Sequence, residues 1–295
     1  MHLKTDYAVG EIPHSEHPMP QAKRENWLCL NGKWRLKKID PLQKILFDGE
    51  ILVPFSPETF NSGVEAGFVL RPGEKLVYER NVTVEKALLL GKTLLHFGAV
   101  DSECKVFFNG VKVGAHKGGF TAFTVDISEQ VKEGDNLLRV ECRDEGTRNF
   151  GARGKQNDER GGIWYTPQSG IWQTVWLESM PVECIKGLKV TTNVEDMSVT
   201  VQVDKQGGEK EIAVFNDRKE ILRQKFTDKA TLQYDFVLWS PENPKLYDVV
   251  ITNGAGDRLE SYFGVRSFGK TVDEKGIARL TLNGKPYFFN GFLDQ

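Results

Sequence analysis

Apolar and polar residues alternate with a period of two along most of this chain. No stretch of about eleven or more residues keeps apolar residues at the i, i+3, i+4 and i+7 positions that an amphipathic helix requires. Successive side chains of a β-strand point to opposite faces, so a strand with one buried face shows a period of two. The sequence therefore predicts an all-β protein.

The first part of the chain predicts one β-sandwich. Turns rich in Gly, Asp and Asn separate the predicted strands, which are 76–84, 93–100, 105–108, 123–127, 136–142 and 174–178. Asn109-Gly110 stands between two alternating segments, and both residue types tolerate the positive φ angles of a tight turn. We therefore expect a β-hairpin at this pair.

The pattern changes near Met180-Pro181, where the large aromatic residues become fewer. Shorter alternating strands follow, and they are predicted at 198–203, 211–215, 246–252 and 261–267. A chain of 295 residues is long enough for two domains. We predict a larger first sandwich over 1–182 and a smaller second sandwich over 183–272.

The last segment, 273–295, differs from both sandwiches. Asn283-Gly284 predicts another hairpin, and the run 287–293 is apolar except for Asn290 and Gly291. Such a run predicts a strand buried on both faces, as in the parallel sheet of a barrel. A single strand of this kind cannot satisfy its own backbone groups. We expect it either to pack elsewhere in the protein or to be followed by further chain.

The charges exclude two classes of partner. The 39 basic and 41 acidic residues nearly cancel and are interspersed, so neither nucleic acid nor an anionic membrane is expected as a partner. The apolar runs are too short to span a membrane, and the first residues lack the hydrophobic segment of a signal peptide. We expect a cytoplasmic protein, and a periplasmic or secreted location stays open in case a signal was removed.

The cysteine and histidine spacing gives no reason to expect a metal site or a cofactor. Four cysteines, Cys29, Cys104, Cys142 and Cys184, lie dozens of residues apart without a Cys-x-x-Cys pair. Cys104 and Cys142 fall within predicted strands, where a small buried side chain fits. The cysteines are therefore predicted to be reduced, structural thiols.

Several segments carry recognisable motifs. They are Leu30-Asn-Gly-Lys-Trp-Arg, Val53-Pro-Phe-Ser-Pro-Glu, the stretches 98–110 and 113–127, Gly161-Gly-Ile-Trp-Tyr-Thr-Pro-Gln-Ser-Gly-Ile-Trp, Phe263-Gly-Val-Arg-Ser-Phe and Leu282-Asn-Gly-Lys-Pro-Tyr-Phe-Phe. In this order they resemble the front part of family 2 glycoside hydrolases of the β-galactosidase or β-glucuronidase kind. The resemblance covers nearly the whole chain.

The resemblance implies a fold and a role. The fold is a jelly-roll, sugar-binding-like sandwich and then an immunoglobulin-like sandwich, with 273–295 as the start of a catalytic (β/α)₈ barrel that the chain lacks. It further implies a retaining glycosidase whose two glutamates lie on later barrel strands. No catalytic residue is therefore assigned here, and this chain alone is predicted to be inactive. Its implied partners are the barrel and, through the full-length enzyme, a β-glycoside; a homo-oligomer is left open.

The loop 144–170 supplies the candidate contacts with a sugar. Aromatic faces bind the apolar face of a pyranose, and cationic donors bind hydroxyls or a carboxylate. On this ground Arg153, Lys155 and Trp164 are predicted contacts. The alternative is that the loop packs against the barrel or a partner subunit.

The resemblance adds four candidates to these. In the β-galactosidases of the family, loops of the jelly roll lend acidic and amide side chains to the substrate pocket. This implies Gln156, Asn157 and Asp158 as substrate contacts. Asp294 stands where the first barrel strand reaches the catalytic face of a barrel, so it too is implied.

Two other functions compete with the glycosidase interpretation. Jelly rolls also occur as lectins, so the chain has a second interpretation as a stand-alone carbohydrate-binding module. The apolar run 287–293 argues against it, because a free module has no use for a barrel strand. In a third interpretation, the sandwiches serve only as dimerisation surfaces. Tight binding of a sugar by a monomer would exclude this interpretation.

Overall fold

The computed structural model describes residue 5 and residues 8–146, 151–205 and 208–293. Within these residues there is no α-helix, and the 3₁₀ segments described in full are the single turns Pro20–Ala22, Phe60–Ser62 and Lys86–Leu88. No helix in this part of the chain is long and apolar enough to cross a membrane. The prediction of an all-β protein is confirmed.

The chain divides into two compact units. The first unit contains 8–18 and Asn26–Met180, and the second contains Met19–Glu25 and the chain from Pro181 onward. The described part of the first unit contains twelve strands: β1 Trp27–Cys29, β2 Gly32–Ile39, β3 Ile45–Val53, β4 Lys75–Val84, β5 Lys92–Phe97, β6 Val100–Asp101, β7 Glu103–Phe108, β8 Val111–Lys117, β9 Phe123–Asp126, β10 Gly134–Arg143, β11 Gly170–Ile171 and β12 Val175–Met180.

The first unit is a sandwich of two antiparallel sheets. One sheet has the order β3-β2-β4-β10-β7-β8, the other has the order β1-β12-β5-β9, and β6 pairs with β11 beside them. Alternate residues of both sheets, such as Trp34, Tyr78, Phe97 and Leu177, belong to one buried hydrophobic cluster. The core therefore lies between the sheets, and burial of its apolar surface is the main stabilising contribution.

The turn at Asn109-Gly110 joins β7 to β8 as predicted. Asn109 has φ 51° and Gly110 has φ 82°, the pair of positive values that suits the twist of a two-residue hairpin. Asn109 also holds the neighbouring strand, because its Oδ1 accepts the N–H of Leu137 at 2.9 Å. This polar side chain therefore helps to hold the register between the two strands.

The described residues of the second unit form ten strands in three sheets. They are β13 Lys189–Asn193, β14 Ser198–Gln202, β15 Lys210–Asn216, β16 Lys219–Phe226, β17 Lys229–Gln233, β18 Tyr247–Asn253, β19 Arg258–Phe263, β20 Phe268–Val272, β21 Ala278–Leu282 and β22 Lys285–Pro286. The sheet orders are β13-β14-β17, β16-β15-β18-β19 and β20-β21-β22. Phe236, Tyr247 and Phe263 pack against one another in its core.

Two predicted strands extend three or four residues beyond the observed ends. The strand predicted at 93–100 ends at Phe97, because Gly98 lies against Gln173 and a Cβ there would be 2.7 Å from the Gln173 side chain. The strand predicted at 261–267 ends at Phe263, next to Gly264, which lies against Trp239. At both ends a glycine permits close approach of another segment, which a period of two does not reveal.

The end of the chain combines a confirmed hairpin with a wrong strand. Asn283 and Gly284, with φ 51° and 75°, form the turn between β21 and β22. The run 287–293 forms no strand, and Phe292 and Leu293 are exposed. The Tyr287 N–H still donates to the Leu280 carbonyl of β21 at 3.0 Å, but in the described part of the chain no strand pairs with residues 288–293, so apolar character alone does not make this run a strand.

Candidate functional site

Three acidic side chains from distant parts of the sequence lie close together in the first unit; Glu58 and Asp101 are buried, and Asp144 is partly buried. Glu58 belongs to the loop after β3, Asp101 ends the short strand β6, and Asp144 follows β10 directly. The pairing of β6 with β11 brings Asp101 opposite Gly170, whose neighbour Ser169 contacts Glu58. The fold thus brings the three acids together although Asp101 lies 43 positions from both Glu58 and Asp144 along the chain.

Glu58 is held by neutral donors. The Ser169 hydroxyl donates to its Oε1 at 2.6 Å, and the Ser169 N–H donates to Oε2 at 3.2 Å. Glu58 is 7% exposed, and its burial raises the pKa to about 7, although the hydrogen bonds from Ser169 oppose this shift. At neutral pH this carboxyl group is therefore partly protonated.

Asp101 lies in a close backbone contact. Gly119 packs so tightly against it that a Cβ at this position would be 2.3 Å from Oδ1 of Asp101. The Gln156 amide donates to Oδ2 at 3.2 Å. Burial and, to a smaller extent, the nearby Asp144 raise the pKa of Asp101 to about 6, although the Gln156 hydrogen bond opposes this rise.

Asp144 completes the group. Its Oδ1 accepts hydrogen bonds from the Ser102 hydroxyl and from the Gly146 N–H, both at 3.1 Å. Burial raises the pKa of this carboxyl group above its usual value. All three acids therefore hold their protons more tightly than solvated carboxyl groups, and each is still able to accept or donate a hydrogen bond.

An open groove of about 580 Å³ lies beside these acids. Its lining comprises Glu58, the segment 67–72, Asp144, Gly146, Asp158, Arg160 and 166–169. A much smaller hollow next to it is lined by Asp101, Asp144, Gly146, Arg153, Gln156, Asn157 and Pro167. The two share Asp144, Gly146 and Pro167, so the acids connect them.

Four of the predicted contacts lie in these linings. Arg153, Gln156 and Asn157 line the small hollow, and Asp158 lines the groove. Gln156 has two roles, because its Nε2 donates to Asp101 while its Oε1 accepts the N–H of Gln168 at 2.7 Å. It therefore fixes the long loop to the acids, and its role as a substrate contact stays a prediction.

The other three predicted contacts lie elsewhere. Lys155 and Trp164 are absent from both linings. Their backbones form the loop's own bridges, since the Lys155 carbonyl accepts the N–H of Tyr165 at 2.8 Å and Trp164 exchanges hydrogen bonds with Gly161. Asp294 lies outside the described residues.

Sequence reasoning missed Glu58, Asp101 and Ser169. A usable signal existed for Asp101, because an acid that directly follows the apolar Ala99-Val100 within a predicted sandwich must be buried or at a strand end. Glu58 and Ser169 give no local signal. The described residues contain no group of three or more His, Cys, Asp or Glu side chains arranged to hold a metal ion.

Comparison with known proteins shows similarity along both units. The model for the glycosyl hydrolases family 2 sugar binding domain matches residues 55–181, and a second model, glycosyl hydrolases family 2, matches residues 184–266. A β-galactosidase of Thermoanaerobacter pseudethanolicus is 26% identical over 233 residues, which are 72% of this chain and 31% of that protein. A β-glucuronidase of Streptococcus agalactiae is 26% identical over 294 residues, 92% of this chain and 48% of that protein.

Solved structures show the same fold. A Faecalibacterium prausnitzii β-glucuronidase structure has a TM-score of 0.71 at 25% identity and covers 92% of this chain and 50% of that one. A Ruminococcus gnavus β-glucuronidase has a TM-score of 0.71 at 21% identity, with the same coverage. The chain thus spans half or less of the length of these relatives.

Proposed function

The chain belongs to glycosyl hydrolase family 2, and on this basis we propose that its two units are non-catalytic domains of a retaining β-glycosidase. In this proposal the acids of the first unit help to shape the substrate pocket. The observation that carries it is the groove of about 580 Å³ bordered by Glu58, Asp144 and Asp158. The proposed domains are 1–182, 183–272 and 273–295. The segment Met19–Glu25 is an exception to the first boundary, because it belongs to the second compact unit.

The described acids suit a supporting role better than catalysis. A retaining glycosidase needs two carboxyl groups roughly 5 Å apart that both reach the anomeric centre, one as nucleophile and one as acid. Glu58 and Asp101 are almost fully buried, and their oxygens are occupied by Ser169 and Gln156. We therefore place the catalytic pair on a barrel outside this chain.

The charge of the groove favours a neutral sugar. Three carboxyl groups, Glu58, Asp144 and Asp158, line it together with two guanidinium groups, Arg71 and Arg160. Carboxyl groups exchange hydrogen bonds with sugar hydroxyls. Because Glu58 is partly protonated, these acids and the two guanidinium groups nearly balance in charge, so the groove has no excess positive charge to bind the carboxylate of a uronic acid. Our proposal is therefore a β-galactoside-type substrate rather than a β-glucuronide.

A comparison of two proteins tests the proposal. This chain and a version extended by a complete family 2 barrel are assayed with nitrophenyl β-galactoside, β-glucuronide and β-mannoside. We expect hydrolysis only by the extended protein, with preference for the galactoside. Hydrolysis by the chain alone would contradict the non-catalytic role, and preference for the glucuronide would contradict the neutral sugar.

The groove is tested by matched variants of the extended protein. Asp158→Asn removes a groove carboxylate, whereas Asp248→Asn changes an exposed acid of the second unit. We expect the first variant to raise KM about tenfold, the effect of losing one charge-assisted hydrogen bond, and the second to leave KM unchanged. Equal KM values in the two variants would show that the groove is not part of the substrate pocket.

One observation favours the binding-module alternative. Ile163, Trp164 and Tyr165 are exposed on the long loop, and exposed aromatic side chains are common in sugar platforms. If this alternative holds, the chain alone binds a sugar at millimolar concentration or tighter. Trp164→Ala should then abolish the binding, whereas Asp158→Asn should leave it intact.

A further inference from the structure

Two cysteines face each other across the first unit's larger sheet. Cys104 lies on β7 and Cys142 on β10, and the antiparallel register pairs these two residues directly. Both belong to the hydrophobic core and are 4% and 0% exposed, so both side chains point to the inner face of the sheet. All four cysteines lie in the described part of the chain, and each is a free thiol there.

The hydrogen-bond pattern shows that the two thiols occupy a close pair. In an antiparallel ladder, hydrogen-bonded and non-hydrogen-bonded pairs alternate. The N–H of Asn109 donates to the carbonyl of Leu137 at 2.9 Å, which marks that pair as hydrogen-bonded. The register between β7 and β10 runs from this end without a shift, so Cys104 and Cys142, five pairs further on, fall at a non-hydrogen-bonded position.

This position suits a disulfide. The Cα atoms of a non-hydrogen-bonded pair are about 4.5 Å apart and their side chains approach closely, which lies within the roughly 4.4–6.8 Å range of Cα separations that disulfides span. We propose that Cys104 and Cys142 are a modification site that a low-molecular-weight disulfide such as oxidised glutathione converts into a cross-strand disulfide.

The reaction proceeds in two exchanges. The Cys104 thiolate attacks one sulfur of oxidised glutathione and releases a glutathione thiolate, and a mixed disulfide forms on Cys104. The Cys142 thiolate then attacks the Cys104 sulfur and releases the second glutathione thiolate. The protein thiols lose two electrons and two protons; oxidised glutathione takes up the electrons, and the protons end on the two released thiols.

Access sets the order of attack. A surface hollow of about 400 Å³ lies at this part of the sheet, and its lining comprises Glu103, Cys104, Lys105, Ala115, His116, Lys117, Glu141 and Arg143. Cys104 is 4% exposed, whereas Cys142 has no exposed surface, so Cys104 is the thiol that oxidised glutathione reaches first. Burial raises the pKa of the Cys104 thiol to about 12, so its thiolate is scarce and the first exchange is slow at neutral pH.

The disulfide would act on the two strands next to Asp101 and Asp144. Asp101 precedes β7, Asp144 follows β10, and the Ser102 hydroxyl already joins them through its hydrogen bond to Asp144. A covalent link between Cys104 and Cys142 would fix the two strands close to this contact. This consequence concerns the geometry of the acids and is independent of what the groove binds.

The test uses the native full chain with oxidised glutathione at pH 7 and pH 8.5, followed by alkylation in denaturant and peptide mapping. We expect a linked Cys104–Cys142 peptide, a mass loss of two hydrogen atoms, faster formation at the higher pH and reversal by dithiothreitol. The linked protein should melt roughly 5–10 °C higher, because the cross-link restricts the unfolded chain.

Two variants make the result decisive. Cys29→Ser should behave like the native chain, whereas Cys142→Ala should stop at the mixed disulfide and show no rise in melting temperature. The proposal is overturned if Cys104 and Cys142 are alkylated as thiols after Cys29 has reacted. It is also overturned if the native chain stops at the mixed disulfide or if the linked form melts lower.

Discussion

Asp257 in the second unit and Glu58 in the first are both buried carboxyl groups, but their partners differ. The Asp257 carboxylate accepts two hydrogen bonds from the Arg24 guanidinium, at 2.8 and 3.0 Å, and one from the N–H of Ile185, at 2.7 Å. Glu58 receives a hydroxyl and an N–H from Ser169 and makes no ion pair in the described part of the chain. The charge of Asp257 is therefore balanced by a cation, whereas Glu58 becomes neutral only by binding a proton.

The difference separates a structural acid from one that responds to its surroundings. A buried ion pair with all its hydrogen bonds made is fixed, because breaking it leaves an uncompensated charge. A buried acid without a cation has a raised pKa and changes its protonation near neutral pH, which is a feature of functional sites. Arg24 joins the segment Met19–Glu25 to the second unit, whereas Glu58 borders a groove.

The largest expected effect comes from breaking the ion pair. Arg24→Ala should lower the free energy of unfolding by about 3–5 kcal/mol, because it leaves Asp257 buried and uncompensated. Urea denaturation followed by fluorescence measures it. Arg258→Ala is the control, since this exposed arginine pairs with the surface acids Glu25 and Glu260. Equal losses in the two variants would show that the Arg24 pair is no stronger than a surface pair.

The protonation of Glu58 should make the free energy of unfolding depend on pH. Its pKa is raised from 4.5 to about 7 in the folded chain, so the stability due to its proton is complete below pH 4.5 and is lost as the pH rises through 7. Glu58→Gln stays neutral at every pH and keeps a group that can accept from Ser169. We expect it to exceed the native chain in stability at pH 8 by on the order of 3 kcal/mol and to match it near pH 4.5.

The measurement is a series of denaturation curves between pH 4.5 and 8. Glu242→Gln is the control, because this exposed acid has a pKa lowered by its hydrogen bond from Tyr287. The control should not share the gain at high pH. A constant difference between Glu58→Gln and the native chain across the series would mean that Glu58 stays ionised.

A smaller effect is expected at Gly119. A Cβ there would meet the Asp101 carboxylate at 2.3 Å, so Gly119→Ala must displace one of the two segments. We expect a loss of about 1–3 kcal/mol in stability, the usual range for overpacking. Gly254→Ala, where nothing lies within 4 Å of the added Cβ, is the matched control. A loss no larger than that of the control would show that the segment around Gly119 moves freely.

Local features of the fold were predictable from the sequence, whereas contacts between distant residues were not. The hairpin at Asn109-Gly110 was predictable because two adjacent residues determine its turn. The contact of Glu58 with Ser169 joins residues 111 positions apart, so no local pattern contains it. Gln156 was named as a contact from its region, but its bridge between Asp101 and Gln168 depends on how the loop folds back.

The apolar run 287–293 shows a different limit. Its composition predicts burial, but burial depends on a partner surface that composition does not supply. Tyr287 instead donates its hydroxyl to Glu242, and Phe289 contacts Phe268, while Phe292 is exposed. Strand formation needs backbone partners as well as apolar side chains, so pattern alone overestimated this element.

The smallest expected effect lies on the outer face of the first unit. Asp48 forms two hydrogen bonds of 2.8 Å with Arg35, which hold its pKa below the usual value, the opposite of what burial does to Glu58. Both side chains are solvated, and exposed ion pairs contribute little to stability because water already solvates each charge. Asp48→Asn should therefore leave the urea midpoint at pH 7 unchanged within error, in low salt as in high salt. A clear loss at low salt that disappears at high salt would show that the charges of this sheet face act together as a network.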